Sequence, residues 1–282
     1  MVLFLFAITH VKAQTVYPMY SNYINCGSES DQLKNLAQNE LYIVKIGMKE
    51  LDDALQSSVE KYWKQSKGFK VIDASEVNGL LKDKNHYFIA PVHYGFSGML
   101  FISDQKNNGY DNITVFNGDG KTLYHDMVIA SLPIFGDGKS TMHMVLKALN
   151  DGVDYVIKNN LEGRKKALFG LLTESKKNCS ILKTKTLLIN QIDAGKVKDM
   201  EKYHYKCEVK SGDEITKLIT SGDKKYCVFS TGSNSEVAAK SIYIYDIESG
   251  NMVYGNFTMS SQALYAADYI RLNDAIEGKL DK

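Results

Sequence analysis

Twice along this chain a strand, a helix, a second strand, a short helix and a third strand follow one another, and each set closes with hairpin strands and a helix. A chain that alternates strand and helix in this way must build sheets and cover them with helices, because each apolar face needs an opposing layer. In the first set, Leu41–Ile46 reads as a strand, and residues 49–64 place Leu51, Leu55, Val59 and Tyr62 at helical spacing. Phe69–Ile72 forms the second strand. Ser75 and Glu76 open a short helix that buries Val77, Leu80 and Leu81, and Tyr87–Val92 forms the third strand. Strands follow at Gly98–Ser103 and Ile113–Phe116, Asp119-Gly120 turns into Thr122–His125, and a helix spans residues 141–157.

The second set repeats the order from Thr186–Asn190 onward, with Cys207–Val209, a helix carrying Ile215, Leu218 and Ile219, then Tyr226–Phe229 and Ile242–Asp246. Scattered polar identities accompany the repeat. Glu201-Lys202-Tyr203 answers Glu60-Lys61-Tyr62, Tyr226–Phe229 answers Tyr87–Ala90, Val253-Tyr254 answers Leu123-Tyr124, and Leu272-Asn273-Asp274 answers Leu149-Asn150-Asp151. The expected fold is α/β (α+β): two tandem duplicated βαβαββα-type modules, with mixed sheets and helices packed on them. Module 1 covers residues 41–158 and module 2 residues 186–282; residues 14–40 form a lead-in ending in a short helix. Residues 159–185 form a helical linker whose lysine-rich stretches read as a solvated helix end.

The N-terminus carries a targeting pattern. Val2–Ile8 is an unbroken apolar run, too short to cross a bilayer, and Val11 and Ala13 stand at the −3 and −1 positions that a signal peptidase reads. Residues 1–13 therefore read as a signal peptide cleaved after Ala13, with the basic region that should precede the run expected upstream. A buried N-terminal strand is the alternative. The four cysteines, Cys26, Cys179, Cys207 and Cys227, have neither Cys-x-x-Cys nor zinc-like spacing. In an oxidising compartment one or two disulfides can form among them; otherwise Cys207 and Cys227 read as small buried thiols on strands.

Charge excludes some partners. The 34 Lys and Arg balance 33 Asp and Glu, and loss of Lys12 with the signal peptide leaves 33 of each. Only Arg164 and Arg271 are arginines, so neither nucleic acid nor an anionic membrane surface is an expected partner. No span of the chain reads as a membrane helix.

Phe69-Lys-Val-Ile72 before Glu76-Val-Asn-Gly-Leu-Leu81, and Ile244-Tyr-Asp246 before Ser249-Gly250-Asn-Met-Val253, carry a resemblance to the TolB N-terminal, CsgG and LpoB-like group of bacterial envelope domains, over each module. The chain departs from that pattern at its first strand, which lacks the usual apolar run ending in Pro-Phe. The resemblance implies an adaptor or assembly role in the envelope, without chemistry.

Motifs that look chemical each have a plainer reading. Gly136-Asp-Gly138-Lys139-Ser140-Thr141 before a helix resembles a phosphate loop, but the position five before Gly138 is Pro133, which lacks the amide and torsional freedom such a loop needs. A glycine-rich turn with Ser140 or Thr141 capping the helix is expected. Asp104–Asn112 is rich in oxygen ligands but lacks calcium-loop spacing. His86, His93 and His125 flank strands of one module, which would permit a three-imidazole metal site there. Tyr94-Gly-Phe-Ser-Gly98 only approaches a nucleophile elbow. Asp52-Asp53 reads as a solvated helix surface, and Asn112, Asn178 and Asn256 begin glycan acceptor triplets. Tyr243 and Tyr245 share one face of a strand, and that face is the candidate interaction face, since tyrosine joins apolar area to a polar tip.

These readings converge on an exported, non-enzymatic protein without cofactor or metal, mediating contact with an unknown envelope protein or with itself. The alternative is a secreted enzyme or small-ligand binder with its site in the inter-module cleft. Intact mass of the protein taken from its native cell fractions is expected to show a chain beginning at Gln14; a species retaining Met1 would overturn export through this signal.

Overall fold

A computed structural model describes residues 30–94, 100–102, 112–118, 128–161, 164–194, 197–234, 239–259 and 265–279. After helix α1 (Ser30–Gln38) the first half runs β1 (Glu40–Lys45), α2 (Lys49–Tyr62), β2 (Gly68–Asp73), α3 (Ala74–Leu80) and β3 (Tyr87–Tyr94). It continues through the short β4 (Leu100–Phe101), β5 (Asn112–Asn117), β6 (Val128–Pro133) and α4 (Met142–Lys158). Helix α5 (Arg164–Lys176) and a 3-10 turn (Cys179–Lys183) lead to the second half. There β7 (Thr186–Asn190), α6 (Gln191–Ala194), a 3-10 turn (Met200–Lys202), β8 (Cys207–Lys210) and α7 (Gly212–Ser221) precede β9 (Tyr226–Asn234), β10 (Ala239–Asp246), β11 (Met252–Met259) and α8 (Ala266–Ile276).

The fold is α/β, with two mixed sheets of matching topology. The first sheet has the order β2-β1-β3-β5-β6, with β4 paired to β3; the second has β8-β7-β9-β10-β11. In both, the first three strands are parallel and the last two antiparallel. The partner of β5 is Val128–Pro133; the expected hairpin strand Thr122–His125 lies outside the described residues. Val253-Tyr254 lies on β11, which holds the end position in its sheet that β6 holds in the first.

Register corrects the sequence alignment by one residue. Leu41 pairs with Phe69 and Tyr87, while Leu187 pairs with Cys207 and Cys227, so Tyr87 corresponds to Cys227 and not to Tyr226. A one-residue slip sends every side chain to the opposite face. The same correction applies at the end of the first helix. Trp63 and Tyr203 are both extended residues that end a helical segment, and both are 6% exposed. The following amide, of Lys64 or His204, donates to the side chain of Asn150 (2.8 Å) or Asn273 (3.2 Å) on the closing helix. Tyr203 therefore stands opposite Trp63, not Tyr62. In the second half the place of α2 is taken by the short α6 and a 3-10 turn.

Alternation along the strands sorts the side chains into layers. Tyr42, Val44, Phe88 and Ala90 share a cluster with Val77 of α3 and with Leu81, the residue that follows it. Leu41, Ile43, Ile89 and Val115 face α1, α2 and α4. In the second sheet, Leu187, Ile189, Ile242 and Ile244 face α8 and the 3-10 turns, while Leu188, Val228, Tyr243 and Tyr245 join the same apolar cluster as the helices of the first half. The core of module 1 and the inner face of module 2 are one core. Helix α4 shows why: Val145, Leu149 and Val156 lie on one face, Met144, Ala148 and Gly152 on another, and all are buried. A helix apolar on more than one face has to be covered on more than one side.

This corrects the assignment of Tyr243 and Tyr245. They do share a face, but both are fully buried, and the Tyr245 ring stacks on Phe135 of the first half with centroids 5.0 Å apart. The hairpin that carries them is fastened from within. Asp246 is 3% exposed and accepts from Lys185 Nζ at 2.5 Å and from Ser249 Oγ at 2.6 Å, and Gly250 turns at φ 70°. Burial opposes the charge on Lys185, but the hydrogen bonds it donates to Asp246 and Glu248 outweigh that and hold the amine above the usual lysine range.

A shared core makes unfolding common to both halves. Tyr245→Ala, in the second half, should cost about 3–5 kcal/mol and lower the unfolding midpoint reported by the single tryptophan, Trp63, in the first. The expected drop is roughly 6 °C or more. An unmoved Trp63 transition would show two independent cores.

Candidate functional site

Where the halves meet, a cleft of about 220 Å³ remains. The first half supplies Ile134, Phe135, Gly136 and Thr141 from the connection between β6 and α4. The second supplies Asn190 at the end of β7, Asp193 of α6, and Gly212, Ile215, Thr216 and Ile219 from α7. Val228, Ser230 and Thr231 of β9 form the floor. The cleft thus opens at the carboxyl ends of the parallel strands β7 and β8 and beside the first turn of α7. Connections there leave the strand ends and helix N-terminal amides facing one another, which is why open α/β sheets bind ligands at this edge.

Local chemistry holds each wall. Ser211 caps α7: its hydroxyl accepts from the Glu214 amide, and Glu214 Oε2 accepts from the Ser211 amide at 3.0 Å. Hydrogen bonds from Ser211 keep the Glu214 carboxyl below the usual carboxylate range. Asn190 Oδ1 accepts from the Ile192 amide at 3.1 Å and so turns the chain out of β7. On the opposite wall Gly136 and Gly138 have φ of 63° and 72°, and Thr141 Oγ1 donates to the carbonyls of Phe135 (2.7 Å) and Gly138 (3.3 Å). The floor has one irregularity. Ser230 is 2% exposed, and its hydroxyl finds no hydrogen-bond partner among the described residues.

The phosphate-loop-like segment is a turn, as expected, although its capping differs. Thr141 occupies the cap position of α4 but donates backward to the turn rather than accepting from the helix, and Ser140 bonds Asp137. Lys139 pairs with Glu50 of α2 at 2.5 Å. Asp52 is buried, not solvated: its carboxylate accepts from the amides of Ile46 and Gly47, both at 3.0 Å, and ties α2 to β1, while Asp53 stays exposed and pairs with Lys49. Asn112 and Asn256 are buried on strands, where no glycan fits, and Asn178 is exposed.

Cys179, Cys207 and Cys227 are free thiols, and burial pushes Cys179 and Cys227 up to about 12. Such thiols are poor nucleophiles. Cys26, residues 104–111, the Gly95–Gly98 elbow and His125 lie outside the described residues. His86 Nδ1 lies 2.9 Å from the Leu80 carbonyl oxygen and its ring meets Tyr42 edge-on. Among the described residues no three His, Cys, Asp or Glu side chains gather as a metal site, and no helix is long and apolar enough to cross a membrane.

The described residues lining the cleft offer hydroxyls, an amide, one carboxylate and apolar surface, and among them no nucleophile stands beside a base. Sequence reasoning foresaw an inter-module cleft without naming its residues. The available signal was Ser230-Thr231, which breaks the apolar run Tyr226–Phe229 in the middle of a strand. Fold and site together define a two-module α/β protein with a polar cleft between its sheets. The chain matches no protein-family model, no curated protein and no solved structure.

His143, next to this wall, sits where the halves touch, near Gly250 and against Tyr62. Burial depresses its pKa, aided by the Lys61 charge, although a backbone contact at Ser140 opposes the shift. The unfolded chain therefore binds the proton more readily. Its stabilising contribution is complete above about pH 6.5 and fades as pH falls. Urea midpoints measured from pH 8 to pH 5 should drop less for His143→Gln than for the wild type; equal drops would exclude His143 as the group responsible.

Proposed function

We propose that this protein is a non-enzymatic binder of a small molecule, held in the cleft between its halves. The observation that carries the reading is the buried Ser230 hydroxyl, unpartnered among the described residues, on the floor of a cleft at the carboxyl ends of parallel strands. The protein acts after export, a reading supported by the apolar run Val2–Ile8 and the Val11-Lys-Ala13 cleavage pattern. We also infer that the halves are copies of one module. Matching sheet order, matching registers and the paired roles of Asn150 and Asn273 support that descent, as does the resemblance to bacterial envelope domains.

Contact with a protein partner is the second reading, and its surface moves from the tyrosines to the outer strands. Phe69 and Val71 on β2 are 42% and 38% exposed, and Val209 on β8 is 46% exposed. Both strands end their sheets among the described residues, which leaves one backbone edge of each for pairing.

Gly212→Leu blocks the cleft with little strain, because a Cβ there meets only Asn190 Nδ2 at 3.6 Å, an ordinary contact. Equilibrium dialysis against a low-molecular-weight extract of the native cells, read by mass spectrometry, should enrich one or a few compounds on the wild type and none on Gly212→Leu. No enrichment, or enrichment that survives the substitution, would overturn the reading.

A further inference from the structure

We infer that a second copy of this chain pairs with the first along the outer edge of β8, antiparallel and two-fold, with Cys207 at the axis. The inference rests on the outer-strand reading of protein contact and is independent of the cleft.

Backbone direction sets the first condition. The Leu187 amide of β7 donates to the Lys206 carbonyl at 2.9 Å, so Lys206 turns its peptide groups toward β7. Direction alternates along a strand. Cys207 and Val209 therefore turn their N–H and C=O groups to the edge away from β7. Ser211 closes that edge at one end. Its amide donates to Glu214 Oε2 at 3.0 Å and its carbonyl accepts from the Ile215 amide, both within the cap of α7. The groups left for another strand lie at and before Val209, which places the centre of a symmetric pair nearer Cys207 than Val209.

Charge sets the second condition and selects the register. A two-fold axis sets residue i against j and j against i. Centring on Cys207 sets Lys206 of each copy against Glu208 of the other, and Val209 beside Tyr205. Centring on Glu208 sets that carboxylate against itself and Lys206 against Lys210. Like charges directly opposite destabilise a sheet. Lys206 and Glu208 are both exposed, and Glu208 lies 3.2 Å from Lys210 of its own strand, so in the pair it stands between two lysines. Strand β2 lacks this pattern: centring on Phe69, Lys70 or Val71 sets Lys70 against Gly68, itself or Ile72. Apolar exposure is the third condition. Val209 is 46% exposed, and Ile192, on the helix α6 that packs on β7 and β8, is 80% exposed. Burying such groups favours association.

Sedimentation velocity of the full chain should show one chain mass at low concentration giving way to two at high concentration. Lys206→Glu and Glu208→Lys each set like charges opposite, and each should weaken the dimer roughly 10-fold or more while leaving the monomer's unfolding midpoint in place. The double variant Lys206→Glu/Glu208→Lys restores both pairs and should restore the dimer. A short bismaleimide should link Cys207 to Cys207, whose Cα atoms stand about 5.5 Å apart in such a pair, and Cys207→Ser should abolish that linked peptide. A single chain mass at every concentration would overturn the inference and leave the outer strands to a different protein. A dimer that ignores both charge swaps would overturn it together with β8 as the contact surface. Oligomers growing beyond two chains would overturn the two-fold arrangement in favour of a head-to-tail contact between β8 and β2.

Discussion

Burial of helix α4 between two sheets is the constraint on which the rest of the structure depends. Its buried residues occupy more than one face, so a single covering layer cannot take them all out of water. The second sheet has the complementary need, because Leu188, Val228, Tyr243 and Tyr245 lie on a face that its own short helix α7 covers only in part. Each half completes the other. The linker helix α5 carries the chain from the end of α4 to the start of β7, with α5 lying along β11.

Within that arrangement the halves repeat one local solution. A helical segment ends in an extended residue with a large aromatic side chain, and an asparagine from the closing helix receives the next amide. That bond fixes the first and last helical elements of each half against each other, so that both sit on the same sheet face. The halves differ elsewhere. Asp246, joined to Lys185, holds the register position that Asn117 holds in the first sheet. Where the first half has α2, the second has only α6 and a 3-10 turn.

The cleft follows from the same packing. Sheet edges that would be solvent in a lone module face the β6–α4 connection of the other half, and the mismatch between a turn and a strand end leaves space. Its lining comes from five separate stretches of sequence between Ile134 and Thr231. None of those residues stands out in a local window. Thr216 looks like any polar position on an amphipathic helix, and Asn190 like any strand-ending residue.

Periodicity along the chain determined the elements: the apolar spacing of residues 49–64, the alternation in Ile242–Asp246 and the repeated order of strands and helices all became structure. It determined that Tyr243 and Tyr245 share a face, since alternation in a strand is a local property of the backbone. Tertiary structure alone decided where that face points. Solvent and a facing helix layer impose the same alternation on a strand, so exposure cannot be read from spacing. Register between strands was likewise decided only by packing, which is why Tyr87 aligns with Cys227 and not with the tyrosine beside it. Whether Ser230 is a surface hydroxyl or the floor of a cleft depends on residues nearly a hundred positions away, and only the folded chain brings them together.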